Sequence, residues 1–417
     1  MQLHAGAFSG ERGQTLLLMA VAIFLMTLLL FATTRMGEHA RRQFYLQSVA
    51  DNTAYSATVL MARQLNLSAV LNRSLIGNQV AIAQWVGLAS WLAMASQSVF
   101  NLSIATIWVP GLNKIMLTLS RLMNRIEHSF DSTIKALLGF HAAIIKAISI
   151  AQVSLEAAMV VETVASIQDF IDAHDKELDW QAFQGGSVVP FPALWYAKTD
   201  TKSSKKHRDS AFFKRLVMQS RDPFTSGRSY DWVSLKFIRV RKHGGNELET
   251  LSNGQWNWNA VDSVAVHLKE YAVGGKWVPV FGIGWGARAA YRKYYGSRRN
   301  RYAYDDAFYV NDYVTELGWN QLRSYRVAAP SFSYLSLRDN DKYGANALVL
   351  WLEDKQTGQV AYARSEVHFS RPLDIFSRGD NKAETANLYN ALWEPRLLPL
   401  SAADKAAIVA KKAAAGG

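Results

Sequence analysis

The 417 residues exceed what one ordinary hydrophobic core serves, so two or three structural units are expected. Lys and Arg total 46 against 34 Asp and Glu, a net charge of +12, which suits an anionic partner and says nothing of fold. The chain has no cysteine, which excludes a disulfide framework, thiolate metal sites and cysteine nucleophiles while leaving the compartment open.

The first element is RGQTLLLMAVAIFLMTLLLFATTR, uncharged between Arg12 and Arg35. Three readings compete for it: a membrane anchor, a cleaved secretion signal, and the assembly helix of a pilin-like subunit. Thr15 to Thr34 is long enough to cross a hydrocarbon core of roughly 30 Å as a helix. A cleaved signal has a shorter apolar stretch and a small-x-small site, which Phe31-Ala32-Thr33-Thr34-Arg35 does not provide. The segment therefore reads as a retained anchor, with Thr15, Leu16, Phe24, Leu30 and Thr34 along it. Arg12 precedes it and Arg35, Arg41 and Arg42 follow, so positive-charge counting alone puts the C-terminal side in the cytoplasm.

Helix formers dominate from Glu38 to about Ala173. Leu46, Val49, Thr53, Ala57, Leu60 and Gln64 recur at spacings of three and four, one stripe along a helix. Asn66-Leu67-Ser68 predicts a break, with Ser68 as an N-cap. A second helix is predicted from about Ala69 to Trp108, stopped by Pro110-Gly111. A third follows from about Leu112, with Ile134, Leu138, Ile145, Ile148, Leu155 and Met159 on its apolar face. No charge falls between Arg73 and Lys114, which admits a second membrane span. Asn78, Gln79, Gln84, Ser90, Ser96, Gln97, Ser98 and Asn101 are costly in lipid unless paired, which favours a buried helix of an antiparallel bundle or coiled coil.

Composition changes after Asp179. Phe183-Gln184-Gly185-Gly186, Pro190-Phe191-Pro192 and TDTKSSKKHRDS (Thr199 to Ser210) read as loops. DWVSLKFIRVRK, ELETL, QWNWNAVDSVAVHLKEYAV and KWVPVFGIGW read as strands, with turns at His243-Gly244-Gly245-Asn246, Asn253-Gly254 and Gly274-Gly275. A further pair, ANALVLWLED and QVAYARSEVHFS, is joined through Lys355-Gln356-Thr357-Gly358. The tail SAADKAAIVAKKAAAGG is a short Ala/Lys helix or a disordered end. The expected class is α+β: a single N-terminal transmembrane helix (1–37), a long-helix bundle or coiled-coil stalk (38–178), a mainly antiparallel β-rich domain (179–400) and a tail (401–417).

No catalytic signature is present: no G-x-S-x-G, no phosphate loop, no H-E-x-x-H. The nine histidines are scattered, and no metal or cofactor site is expected. Trp285 to Tyr304, WGARAAYRKYYGSRRNRYAY, interleaves Arg288, Arg292, Lys293, Arg298, Arg299 and Arg301 with Tyr291, Tyr294, Tyr295, Tyr302 and Tyr304. That pattern offers polyanion contact through Arg292, Lys293, Arg298, Arg299, Arg301, Tyr294 and Tyr295, or a solvated hairpin loop whose tyrosines pack on a sheet.

Several stretches in order resemble the TadE/TadG-like proteins of bacterial Tad (Flp) pilus assembly. They are RGQTLLLMAVAIFLMTLLLF, ADNTAYSATVLMARQLN with LNRSLIGNQVAIAQWVGLASW, SRDPFTSGRSYDW, ARSEVHFSRP and NLYNALWEPRLLPL. The resemblance implies a non-enzymatic inner-membrane protein with its bulk in the periplasm, serving pilus biogenesis as a minor pseudopilin or accessory component. Its implied partners are the inner membrane, other pilus-assembly proteins, and pilus subunits or peptidoglycan rather than nucleic acid. The alternative is a periplasmic binding module for cell wall or another anionic polymer, using the basic/aromatic segment. Processed pilin-like members carry Gly-x-x-x-x-Glu. With Gly13-Gln14 as the candidate peptidase site, the acidic position holds Leu18; with Gly10 it holds Thr15. This places the chain nearer the TadG side, which keeps its anchor.

Overall fold

The computed structural model describes residues 12–187, 189–191, 198–251, 253–270, 275–293, 312–338, 347–371 and 384–415. Helix α1 (Arg12–Ala105) runs uninterrupted for 94 residues, about 140 Å at 1.5 Å per residue. The break predicted at Asn66-Leu67-Ser68 is absent, and Ser68 caps nothing. Its hydroxyl donates to the Gln64 carbonyl one turn back at 2.9 Å. The Asn66 amide pairs outward, accepting from the Trp393 N–H at 2.9 Å and donating to the Trp393 carbonyl at 2.8 Å. Groups that would compete with the helix backbone are satisfied without ending it.

Four residues, 106–109, turn the chain into α2 (Pro110–His174), which runs back antiparallel to α1. Pro110 thus opens a helix as well as closing one off: at the first helical position its missing N–H costs no hydrogen bond. Of the predicted α1 stripe, Leu46, Val49, Thr53, Ala57 and Gln64 are buried and Leu60 is half-buried. On α2, Ile134, Leu138 and Ile145 are buried.

What covers the α1 stripe is largely sheet, whereas α2 packs mainly on α1. β1 (Leu178–Gln184), β9 (Ala347–Asp354), β10 (Val360–Phe369) and β11 (Trp393–Leu398) form an antiparallel sheet in the order β1-β9-β10-β11. Its Leu348, Leu350, Leu352, Ala361, Ala363 and Val367 share one core with Leu46 to Leu65 of α1 and Val160, Ile167 and Ile171 of α2. Ala50, Ala54, Ala57 and Ala62 line that contact, and small side chains bring helix and sheet close together.

A second sheet contains β3 (Tyr230–Ser234), β4 (Ile238–Thr250), β5 (Trp256–Lys269), β6 (Trp277–Ala289) and the two-residue β7 (Arg323–Ser324), in that order. It is antiparallel except for the β6–β7 pair. This sheet covers the later half of α1. Trp258 Nε1 donates to Gln79 Oε1 at 3.1 Å, Ser90 Oγ to the Gly286 carbonyl at 3.2 Å, and Asn101 Nδ2 to the Ile283 carbonyl at 2.7 Å. A Cβ on Gly286 would lie 2.5 Å from the Ser90 carbonyl oxygen and 2.6 Å from the Met94 nitrogen, so only glycine permits this approach. The uncharged stretch between Arg73 and Lys114 therefore pairs polar groups with protein: Asn78 also meets His141 at 2.8 Å, and the exposed Gln84 reaches Asp222.

His243-Gly244-Gly245-Asn246 is not a turn, as predicted, but the middle of β4. A Cβ on Gly244 would collide with the Asp262 carboxylate on β5, so the glycine serves a close approach inside a strand. The real β4–β5 turn is at Asn253-Gly254, where Gly254 has φ +77°, and Gly358 at φ +67° closes the β9–β10 turn. Gly274 lies outside the described residues.

Smaller elements complete the frame. β2 (Thr199–Ser203) pairs with β8 (Ser333–Leu337). Helix α3 (His207–Gln219) places Phe213 among Trp256, Phe332 and Tyr334, the single turn α4 (Pro223–Ser226) precedes β3, and α5 (Asp312–Asn320) packs on β5 and β6. The tail forms α6 (Ala402–Ala415), held by Asp404 accepting from the Gly186 N–H at 2.6 Å and by Lys411 over the Phe183 ring. The fold is mixed helix and antiparallel sheet with a long apolar N-terminal helix.

Candidate functional site

Every residue from Thr15 to Thr34 is exposed, an apolar cylinder outside the cores formed by the described residues. Leu16, Phe24 and Leu30 stand free of the fold. Hydroxyls are accommodated within the helix: Thr27 donates to the Phe24 carbonyl at 2.8 Å, and Thr33 and Thr34 to Leu30 and Phe31 at 2.9 Å. That pairing removes the main cost of threonine in hydrocarbon. Gly13 and Gln14 fall in the first turn of α1. Among the described residues two helices, α1 and α2, are long and apolar enough to cross a membrane; the most apolar segment of α1 is wholly exposed and that of α2 is 22% buried.

A clamp holds α1 just beyond this segment. Arg42 donates to Asp175 at 2.6 Å and to Asp354 at 2.8 Å, tying the helix to the end of α2 and to β9. Gln43 and Gln47 donate to the carbonyls of Val360 and Tyr362 on β10. Burial would push the Asp354 carboxyl up, but bonds from Arg42, Thr357 and the N–H groups of Gln356 and Thr357 outweigh it and bring it down to about 2.

The stretch SRDPFTSGRSYDW builds a second centre. Asp222 caps α4 by accepting from the Thr225 N–H at 3.0 Å, and Pro223 starts its turn. This aims Arg228 inward, where it is 3% exposed. Its guanidinium binds Asp262 through Nε at 2.9 Å and Nη2 at 2.8 Å, and also donates to Asn246 Oδ1 and the carbonyls of Phe224 and Gly245. Lys242 shares the Asp262 carboxylate and donates to the Arg228 carbonyl at 2.9 Å. Asn246 in turn donates to the Ala83 carbonyl of α1. Desolvation lowers Lys242 to about 8 against the pull of Asp262, and desolvation with the neighbouring Lys242 charge lowers His243 to about 3, so His243 is neutral. Ser229 Oγ meets His243 Nδ1. The centre joins α1, α4, β4 and β5, and its carboxylate is engaged by two cations.

Beside it, Gln97, Asn124, His128, Gln321 and Arg323 line a polar cleft of about 200 Å³ between α1, α2 and the sheet. Arg288 at its wall pairs with Glu127 and lies 3.8 Å from Asp131, which accepts from Tyr325 Oη at 2.8 Å. Arg288 is therefore not part of a free basic surface, and Tyr291 is buried. Of the predicted polyanion residues, Arg292 and Lys293 are exposed, and Arg298, Arg299, Arg301, Tyr294 and Tyr295 lie outside the described residues. The buried Arg228–Asp262–Lys242 centre was not predicted. Its one sequence signal is a Gly-Gly within an otherwise continuous strand pattern.

Among the described residues no group of three or more His, Asp or Glu is placed to hold a metal. No protein-family model matches this chain, and neither does any curated protein or solved structure.

Proposed function

We propose that this chain is a non-enzymatic, membrane-anchored component of Tad/Flp-type pilus assembly, with Thr15 to Thr34 crossing the bacterial inner membrane once and the rest in the periplasm. The observation that carries the reading is the continuity of α1. One helix supplies both the exposed apolar cylinder and the cores under the two large sheets. A force applied to the body is then transmitted directly to the anchor, as an assembly component requires. The ordered resemblance to TadE/TadG-like proteins supports the same reading and favours a periplasmic body, although charge counting points the other way. α2 is assigned to the body because its Ile134, Leu138, Ile145 and Ile167 are buried against protein.

The test is deletion of the gene with plasmid complementation. Surface pili should be lost or altered and restored by the full chain, but not by a chain in which Leu18, Phe24 and Leu28 become lysine. Unchanged piliation and adhesion in the deletion strain would sink the proposal.

A further inference from the structure

The end of the molecule farthest from the anchor is apolar on both of its elements. The α1–α2 turn presents Ile107 and Trp108, 71% and 80% exposed. The first turns of α2 continue the surface with Leu112, Ile115, Leu119, Leu122 and Ile126, all exposed and spaced three or four apart. Part of that stripe lines an open groove of about 500 Å³ with Gly111 and Lys114 at its edge.

The five-stranded sheet reaches the same level. β6 follows α1, with Gly286 beside Ser90 and Ile283 beside Asn101. From Ile283 to Trp277 the strand advances about 20 Å, whereas α1 and its turn rise about 12 Å from Asn101 to Val109. The exposed end of the sheet carries Ile238, Leu268 and Val278 in one cross-strand row, with Leu235, Phe237 and Phe281 around it.

Among the described residues the charge at this end is mainly positive. The chain contains no Asp or Glu from residue 52 to residue 126. Lys114, Lys236, Lys269 and Lys276 stand around the apolar surface against Glu270, while Asp231 already holds Arg239 and Arg241.

We infer that this distal end docks into a lipid bilayer with an anionic surface. Aromatic and aliphatic side chains at an apex, bordered by lysines, match the layering of acyl chains below phosphate head groups. A second copy of this chain would bring the same basic rim and be repelled. The bilayer is not the one holding the anchor: α1 separates Arg35 from Ala105 by 70 residues, about 105 Å of straight helix. The protein would then bridge two membranes. This inference rests on the composition of the tip and is independent of the pilus reading.

The test uses the full chain inserted through its anchor into phosphatidylcholine proteoliposomes, offered protein-free fluorescent vesicles. Vesicles containing phosphatidylglycerol should be captured, phosphatidylcholine vesicles much less, and added salt should weaken capture. Ile107→Asp with Trp108→Asp should reduce capture about tenfold or more. Both positions sit in an exposed turn, and unchanged far-ultraviolet circular dichroism will show that the fold persists. Lys236→Glu with Lys276→Glu should remove the lipid preference while leaving the apolar apex in place. Absence of capture, or capture indifferent to both double substitutions, would overturn the inference, as would capture seen only in a parallel arm whose second vesicles also carry the protein.

Discussion

Asp262 is the position where a single change should cost most. Its carboxylate accepts from Arg228 at 2.9 and 2.8 Å and from Lys242, with both cations buried. Each charge-assisted bond is worth about 1.5–3 kcal/mol. Truncation leaves two like charges without water or counterion, and removing one partner of a buried ion pair costs about 3–5 kcal/mol. Asp262→Ala should therefore lower the opening free energy of β4 and β5 by that amount. Hydrogen exchange of their slowest amides in detergent-solubilised full-length protein should accelerate about 10²-fold to several thousandfold, at 1.4 kcal/mol per factor of ten. Adding Lys242→Met should recover part of the loss, because one uncompensated charge is gone and the volume is kept. Acceleration below about tenfold, or a double variant no better than the single one, would refute the view that buried charge rather than packing controls this centre.

Three further outcomes are expected. Asn66→Ala leaves the N–H and carbonyl of Trp393 without their side-chain partners and should cost about 1–3 kcal/mol, read as faster exchange in β11; exchange as in the wild type would refute it. Asp354, at about 2 when folded against 3.8 ordinarily, takes up its proton later in the native than in the unfolded state. Its contribution, about 2 kcal/mol, is complete above pH ~4 and is lost as pH falls through about 2. Tryptophan fluorescence during acid titration should show a shallower loss for Asp354→Asn than for the wild type, and equal slopes would contradict the clamp. Because the chain has no cysteine, Ser129→Cys and Ser154→Cys give clean probes of α2. An impermeant maleimide should label both in intact spheroplasts. Labelling only after lysis would reverse the proposed orientation, and no labelling in either state would put α2 in the bilayer.

What the sequence determined by itself lay in short-range chemistry. The uncharged run from Thr15 to Thr34, the stripe from Leu46 to Gln64, Pro110 between two helices, and the turns at Asn253-Gly254 and Gly358 each depend on residues within a turn or two of one another. Tertiary structure decided what those elements do together. Asn66 and Ser68 looked like a helix break because their side chains compete with the local backbone. The bond that removes the competition at Asn66 comes from Trp393, 327 positions along the chain. His243-Gly244-Gly245-Asn246 looked like a turn because glycine usually marks one, whereas here it makes room for Asp262 on the next strand. Arg288 and Tyr291 belonged to a basic, aromatic pattern, yet Glu127 and the core under β5 draw them inward. In the same way, an apolar stripe records only that something must cover it; whether that cover is a helix, a sheet face or lipid is set by partners brought close in folding.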